Sequence, residues 1–366
     1  MNSAIRARID THALQHNLNL LRAAAPGSRV LAVIKANAYG HGLQLVAQAL
    51  QHADAFAVAR LDEAVLLRQS GVRLPITLLE GVADVEQLAE AAAHDLDLVV
   101  HDTSQLDLLE AWRGPHRFTI WLKIDTGMNR LGFRVEQAPW ALERLAALRF
   151  PARELRWLTH LACADELDPT ATSHQLQRFR VALASLPSAA HPVISSIANS
   201  AAILGWPAAH GGWIRPGLAL YGVSPFPGRV GADLGLRPAM TLESNVIAVR
   251  RVPRGESVGY GGAWTAARDS TVAILAGGYA DGLPRHLPNG TRIRLGGHHL
   301  SLVGRVSMDM LAVDITDAPE VRVGAVAQLW GAEAPVEQVA HQAGTIAYEL
   351  LCRVPGRVPR IPSPPA

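Results

Sequence analysis

Apolar and polar positions along the first two thirds of the chain follow two alternating rhythms. Short, nearly continuous apolar runs of strand length occur at 30–35, 55–59, 74–79, 96–100, 118–124, 155–161, 193–197 and 212–221. Between most of them, apolar residues recur every three or four positions, as on the buried face of a helix, at 43–50, 61–69, 84–93, 103–112, 135–148 and 172–186. An opening helix runs from a cap at Asp10 or Thr11 to Ala24, with Leu14, Leu18 and Leu21 on one face. Eight strands joined by helical crossovers predict an eight-stranded parallel (β/α) barrel, with an open doubly wound sheet as the alternative.

From about Gly235 the rhythm changes. Apolar and β-branched runs at 240–252, 271–276, 291–295, 300–306 and 311–315 are separated by Gly, Pro and Asn turns, the pattern of a mainly antiparallel β domain. Two short helices, 335–342 and 345–352, close it, and 357–366, with four prolines, reads as a frayed tail. The expected division is therefore a barrel over 1–235 and a β domain over 236–366.

Composition narrows the function. A hydrophobic fraction of 49% in 366 residues supplies ample core, and a formal charge of +2 with no Lys/Arg block asks for neither nucleic acid nor an anionic membrane. Small molecules are the expected partners. Cys163 and Cys352, the only cysteines, form no metal-binding spacing, so no metal is expected and a reducing compartment suits them. With no apolar leader in the first ten residues and no run of membrane-spanning length, a cytoplasmic location is expected.

One bias points to chemistry. Of the 34 basic residues only Lys35 and Lys123 are lysines. Lys35 ends the first barrel strand, where a primary amine can attack a carbonyl or carry a proton, tasks closed to arginine. Active sites of such barrels sit at the C-terminal ends of the strands. Lys123, Asp125 and Arg130 fall in or just after the fifth strand and His160 near the end of the sixth. Asn199 and Ser200 follow the seventh at a helix start, where free N–H groups suit an anion. Arg215 and Gly217 lie in the eighth, the glycine leaving room for a close backbone approach. Each residue also has an ordinary reading: His160 a core histidine, Lys123 and Asp125 a plain ion pair, Arg215 to Gly217 a turn, Asn199 and Ser200 a helix cap. Their convergence on one barrel face favours a phosphorylated aldehyde cofactor joined to Lys35.

These residues lie in segments that resemble the alanine racemases. The likeness runs through 33–42 (VIKANAYGHG), 122–132 (LKIDTGMNRLG), 159–166 (THLACADE), 198–204 (ANSAAIL) and 214–222 (IRPGLALYG), and continues in the second domain at 259–266 (GYGGAWTA), 278–282 (GYADG) and 304–309 (GRVSMD). It implies pyridoxal 5'-phosphate held on Lys35 and interconversion of L- and D-alanine, for cell-wall precursor synthesis or for catabolism. Lys35 and Tyr260 would be the two bases, Tyr260 coming from the β domain of a partner in a homodimer. A chain from Tyr260 through His160 to Arg215 would tune the phenol, with Arg215 facing the pyridine nitrogen. Carbamylated Lys123 would position Arg130 against the substrate carboxylate. Tyr39, Ser200 and the Gly217 and Leu218 backbone would hold the phosphate, while Met308 and Tyr279, again from the partner, would line the substrate site. Two positions depart from the family pattern: Gly356 stands where a phosphate-binding tyrosine is expected, and Ser196 where some members place a histidine beside the pyridine arginine. A serine racemase of the same fold is the nearest alternative; a non-catalytic pyridoxal-phosphate protein is more distant, since the β domain bearing Tyr260 has no place in a single barrel, and a cofactor-free metabolite-binding module would keep the barrel but show no aldimine absorbance.

Overall fold

A computed structural model describes residues 4–186 and 193–363. The chain opens with a strand absent from the hydrophobic pattern, β1 (Ile5–Ile9), and then the expected helix Thr11–Ala24. The Asp10 carboxylate accepts from Ala13 N at 2.9 Å, and Leu14, Leu18 and Leu21 are buried, so the cap and the apolar face act as read.

The barrel strands are β2 (Arg29–Val33), β3 (Ala55–Val58), β4 (Ile76–Leu78), β5 (Asp97–Val100), β6 (Thr119–Asp125), β8 (Glu154–Leu158), β9 (Ser195–Ser196) and β10 (Trp213–Ile214), with β7 (Phe133–Arg134) appended to β6. All pair in parallel in this order and β10 returns to β2, which closes the barrel. Closure explains the unbroken apolar runs. Every residue of β3, β4, β5 and β6 is buried, one set filling the interior and the other lying under the helices. Toward the opposite end of the barrel from the site, Arg156 lies between the rings of Trp121 and Trp213 at 5.0 and 4.9 Å and pairs with Asp97 at 3.6 Å.

The last two barrel strands are shorter than their apolar runs. Lys35 also lies beyond its strand: β2 stops at Val33, and Lys35 opens a turn of opposite hand described below.

The second unit is an eight-stranded sheet built on the long β11 (Met240–Val252), with β14 (Ser270–Ala276), β15 (Arg292–Leu295), β16 (His298–Val303), β17 (Met310–Asp314) and β18 (Val326–Trp330); a separate ribbon joins β12 (Ser257–Val258) to β13 (Trp264–Thr265). All pairings among these strands are antiparallel. β18 was not apparent as a strand in the sequence. β1 also belongs here, paired antiparallel with β11, so the first residues of the chain lie in the sheet of the last third. The helices Val336–Gln342 and Ala347–Arg353 close this unit as expected. The frayed tail is corrected: β19 (Arg360–Pro362) pairs in parallel with β1, and Ala7 N donates to Pro359 O at 2.9 Å. Prolines are tolerated there because β19 is an edge strand. Residues 364–366 of the tail lie outside those described.

Candidate active site

At the C-terminal ends of the barrel strands lies a cavity of about 580 Å³. Lys35, Tyr39, Lys123, Arg130, His160, Ser200, Arg215, Gly217 and Leu218 all line it, drawn from the ends of five barrel strands and the loops that follow them. Tyr260, Tyr279 and Met308 do not. They sit on the β domain at 68%, 40% and 53% exposure, away from the cavity of their own chain.

Lys35 is set by an unusual piece of backbone. Ala36, Asn37, Ala38 and Tyr39 have φ of 54°, 53°, 53° and 51°, four successive residues without glycine in the left-handed region. Each such residue costs roughly 1–2 kcal/mol, so the turn persists only because its surroundings dictate it. Asn37 Oδ1 accepts from Leu43 N at 2.8 Å, and Glu63 accepts from Asn37 N at 3.2 Å. His41, fully buried, donates through Nδ1 to Tyr39 O at 2.9 Å and Ala38 O at 3.1 Å, while its ring lies 4.5 Å from that of Tyr221. Tyr221 stacks on Tyr39 at 4.7 Å and donates its hydroxyl to Val33 O at 3.1 Å. Burial pushes the His41 ring down to about 4, which keeps it neutral.

Across the cavity, Asn199 caps the helix Ser200–Gly205 by accepting from Ala202 N at 3.0 Å, so its ordinary reading holds. Ser200 Oγ accepts from Gly217 N at 2.9 Å and Ala219 N at 3.2 Å. Gly217 is required by sterics: a Cβ there would lie 2.5 Å from the Tyr39 hydroxyl. One hydroxyl, one phenol and two amides thus meet at a spot with no room for a side chain.

Arg215 is no solvated turn residue. It is buried, donating through Nη1 to Ser196 Oγ at 2.7 Å and through Nη2 to Thr159 O at 2.6 Å, Ile197 O at 3.1 Å and His160 Nδ1 at 3.3 Å. Ser196 in turn donates to Trp213 O at 2.8 Å, so a serine supplies the support that the family pattern gives to histidine. Burial lowers Arg215 to about 10, leaving it charged at neutral pH. Because a guanidinium can only donate, His160 Nδ1 accepts and the ring proton resides on Nε2. Burial, followed by the neighbouring Arg215, Lys123, Arg130 and Lys35, holds His160 well below its ordinary value, so the ring stays neutral.

Lys123 is buried and pushed down to about 8 by burial first and then by Arg215 and Arg130. Its expected ion pair with Asp125 does not form. Asp125 Oδ1 instead accepts from Gly127 N at 2.9 Å and Asn129 N at 3.1 Å, shaping the loop that carries Arg130, and its ion pair, at 4.0 Å, is with Arg134. Among the described residues lining the cavity, Glu80 is the only carboxylate against two lysines and two arginines. Such a cation surplus demands anionic ligands.

Both halves of the chain match family models. Residues 9–225 match that described as Alanine racemase, N-terminal domain, and residues 239–362 that described as Alanine racemase, C-terminal domain. The chain belongs to the alanine racemase family. It is 50% identical over 360 residues to the alanine racemase of Thioalkalivibrio sulfidiphilus, covering 98% of each chain, and 49% identical over 355 residues to that of Nitrosococcus oceani, covering 97% and 98%. Among solved structures, the biosynthetic alanine racemase from Pseudomonas aeruginosa superposes with a TM-score of 0.93 at 44% identity, covering 98% of this chain and 99% of that one. The alanine racemase from Acinetobacter baumannii gives 0.89 at 36%, with 98% and 99% covered.

Sequence reading missed several residues that build this racemase-family site. Gln175, on the helix Thr170–Ala184, accepts from Ala162 N at 2.8 Å and donates to His160 O at 3.1 Å and Thr126 Oγ1 at 3.2 Å, holding two catalytic-face loops together. A glutamine facing in from a helix has no local signature. Tyr348 and Cys352, from the helix Ala347–Arg353 of the second unit, also line the cavity, and the Tyr348 ring lies 6.0 Å from that of Tyr39. Burial pushes the Tyr348 phenol up to about 12, which keeps it a hydrogen-bond donor. Their i, i+4 spacing was legible as a shared helix face, but not what that face meets.

Proposed function

We propose that the chain interconverts L- and D-alanine with pyridoxal 5'-phosphate on Lys35, in a homodimer whose two sites are each completed by the second copy. The observation that carries this reading is the convergence of Lys35, the Ser200–Gly217 anion cradle and the buried Arg215–His160 pair on one cavity. Bound there, the cofactor supplies an electron sink for the charge left when the alanine α-proton departs.

The residues divide the remaining work. Ser200 Oγ, the Tyr39 hydroxyl and the Gly217 and Leu218 backbone would hold the phosphate. Arg215, always charged and spending its protons as donors, would hold the pyridine end of the cofactor and could not protonate its nitrogen, which would limit charge delocalisation and side reactions such as transamination. Lys35 takes or returns the proton on one face of the α-carbon. Tyr260 of a second copy serves the other face, since racemisation needs a base on each side. His160 Nε2–H is the donor that stabilises the Tyr260 phenolate. Lys123, partly neutral near pH 8, is nucleophilic enough to take up carbon dioxide, and the resulting carbamate would anchor Arg130 toward the substrate carboxylate. Tyr279 and Met308 of the second copy close the substrate side.

No described helix is long and apolar enough to cross a membrane. Cys163 and Cys352 are free thiols, which suits the reducing, cytoplasmic compartment proposed for the enzyme. The test is spectroscopic and polarimetric. Purified protein should show a borohydride-sensitive cofactor absorbance and abolish the optical rotation of L-alanine faster than that of L-serine. Lys35→Ala should lose both signals; retention of either would overturn the assignment.

A further inference from the structure

The last described residues belong to no barrel strand, yet they reach two sets of functional residues. Beyond the helix Ala347–Arg353 the chain forms a strap, 354–362, ending in β19. Arg360 donates through Nε to Gly40 O at 2.9 Å, through Nη1 to Pro355 O at 2.6 Å and Val358 O at 2.8 Å, and through Nη2 to Val354 O at 2.5 Å. One guanidinium thus folds the strap on itself and fastens it to the turn that begins with Lys35. From the other side, Leu351 O approaches Gly40 so closely that a Cβ would lie 2.0 Å from it. The strained left-handed turn is therefore gripped by one C-terminal segment of its own chain.

Three residues earlier, Arg357 faces the other way. Its Nε pairs with Asp281 Oδ1 at 3.0 Å and its Nη2 with Asp309 Oδ1 at 2.6 Å. Asp281 is buried and accepts from Gly278 N at 2.9 Å, which fixes the loop carrying Tyr279; Asp309 follows Met308 directly. The two loops are already joined by Tyr279 N to Ser307 O and Ala280 N to Met308 O, both 3.0 Å, and Arg357 clasps them as a pair.

We propose that the strap 354–362 positions two active sites at once: Arg360 sets the Lys35 turn of its own barrel, and Arg357 sets the Tyr279 and Met308 loops that serve the second copy. The trans half rests on the shared-site dimer proposed above. Neither arginine touches reactants; both are positioning residues, and a displacement of about 1 Å in what they position is enough to slow a reaction roughly 100-fold.

The two roles separate in mixed dimers. Chains carrying Lys35→Ala and chains carrying Tyr260→Phe, each impaired alone, form on mixing a dimer with one site that has both Lys35 and Tyr260. Random pairing gives about a quarter of wild-type activity. Arg357→Ala should cut that activity roughly 10-fold to 100-fold when placed on the Lys35→Ala chain, which donates Tyr260, and leave it unchanged on the Tyr260→Phe chain; Arg360→Ala should show the opposite pattern. Arg357→Lys, which keeps a cation between the two carboxylates, should recover most of the loss. Independently of activity, absorbance titration of the apoprotein with pyridoxal 5'-phosphate should show weaker binding for Arg360→Ala and for Arg360→Lys, the latter serving if the alanine variant does not fold, and unchanged binding for Arg357→Ala.

Equal losses from either chain, or unchanged titrations with only a lowered melting temperature, would overturn the strap. Failure of the parent mixture to regain activity would overturn the shared-site dimer and the trans role of Arg357 with it, while the titrations would still decide the role of Arg360.

Discussion

At the residue scale the site works by forcing protonation states through burial and then satisfying the forms that result. Arg215 cannot shed its charge and is met by Ser196, Thr159, Ile197 and His160. Removing the Ser196 hydroxyl leaves a buried guanidinium proton without its acceptor, so Ser196→Ala should cost about 1–3 kcal/mol of unfolding free energy by chemical denaturation. A similar argument fixes a pH dependence. His41 is held at about 4 in the fold against its ordinary 6.5, so the unfolded chain binds the extra proton first. Stability is therefore present above pH 6.5 and drains as the pH falls toward 4, by up to about 1.4 kcal/mol per pH unit from this group. Replacing His41 by Phe removes both the titration and the orphaned Nε2; the drop in stability between pH 7 and pH 5 should become shallower, which denaturation at the two pH values measures. Lys35, His160 and Arg215 were legible in sequence as reactive types at strand ends. The protonation states of His160 and Arg215 were not, because those depend on burial and on neighbours contributed by other strands.

At the scale of elements, the left-handed turn from Lys35 to Tyr39 is the clearest departure from sequence expectation. Gly40 and Gly42 announced a tight turn, and both have positive φ. Ala36, Asn37, Ala38 and Tyr39 carried no such signal, since alanine and tyrosine avoid that region unless tertiary contacts compel them. Ala36 is exposed, so Ala36→Gly should relieve strain and raise stability by up to about 1 kcal/mol while loosening Lys35 and lowering kcat. A rise in both quantities would show that the strain has no catalytic use. Gly40→Ala should do the reverse, destabilising by about 2 kcal/mol or more through the clash with Leu351 O. The strands β9 and β10 show the opposite failure of local reading: their apolar runs are long, but much of each lies in loops that are buried around the site rather than in the ladder.

For the whole molecule, the decisive fact is the separation of Lys35 from Tyr260, Tyr279 and Met308. All three lie exposed on the β domain of a single chain, which leaves the barrel mouth of that chain without the second base proposed above. If two copies complete each other, specific activity should fall on dilution in step with the dimer fraction seen by analytical ultracentrifugation; activity that persists in the monomer would sink the shared site. Tyr260→Phe should spare the cofactor absorbance and slow α-proton exchange more for one enantiomer than for the other.

The order of strands and helices, the change of character near Gly235 and the residue types at the strand ends were written in the local sequence. Periodicity and turn chemistry report which face each segment buries, and the matching motifs named the family. What only the tertiary structure decided involves residues distant in sequence: β1 and β19 pairing in a sheet that neither adjoins along the chain, Tyr348 reaching Tyr39 across the unit boundary, Arg360 gripping Gly40, and Arg357 clasping two loops. Each depends on a contact between segments separated by tens to hundreds of residues, and a local pattern records that a face is buried without recording what buries it.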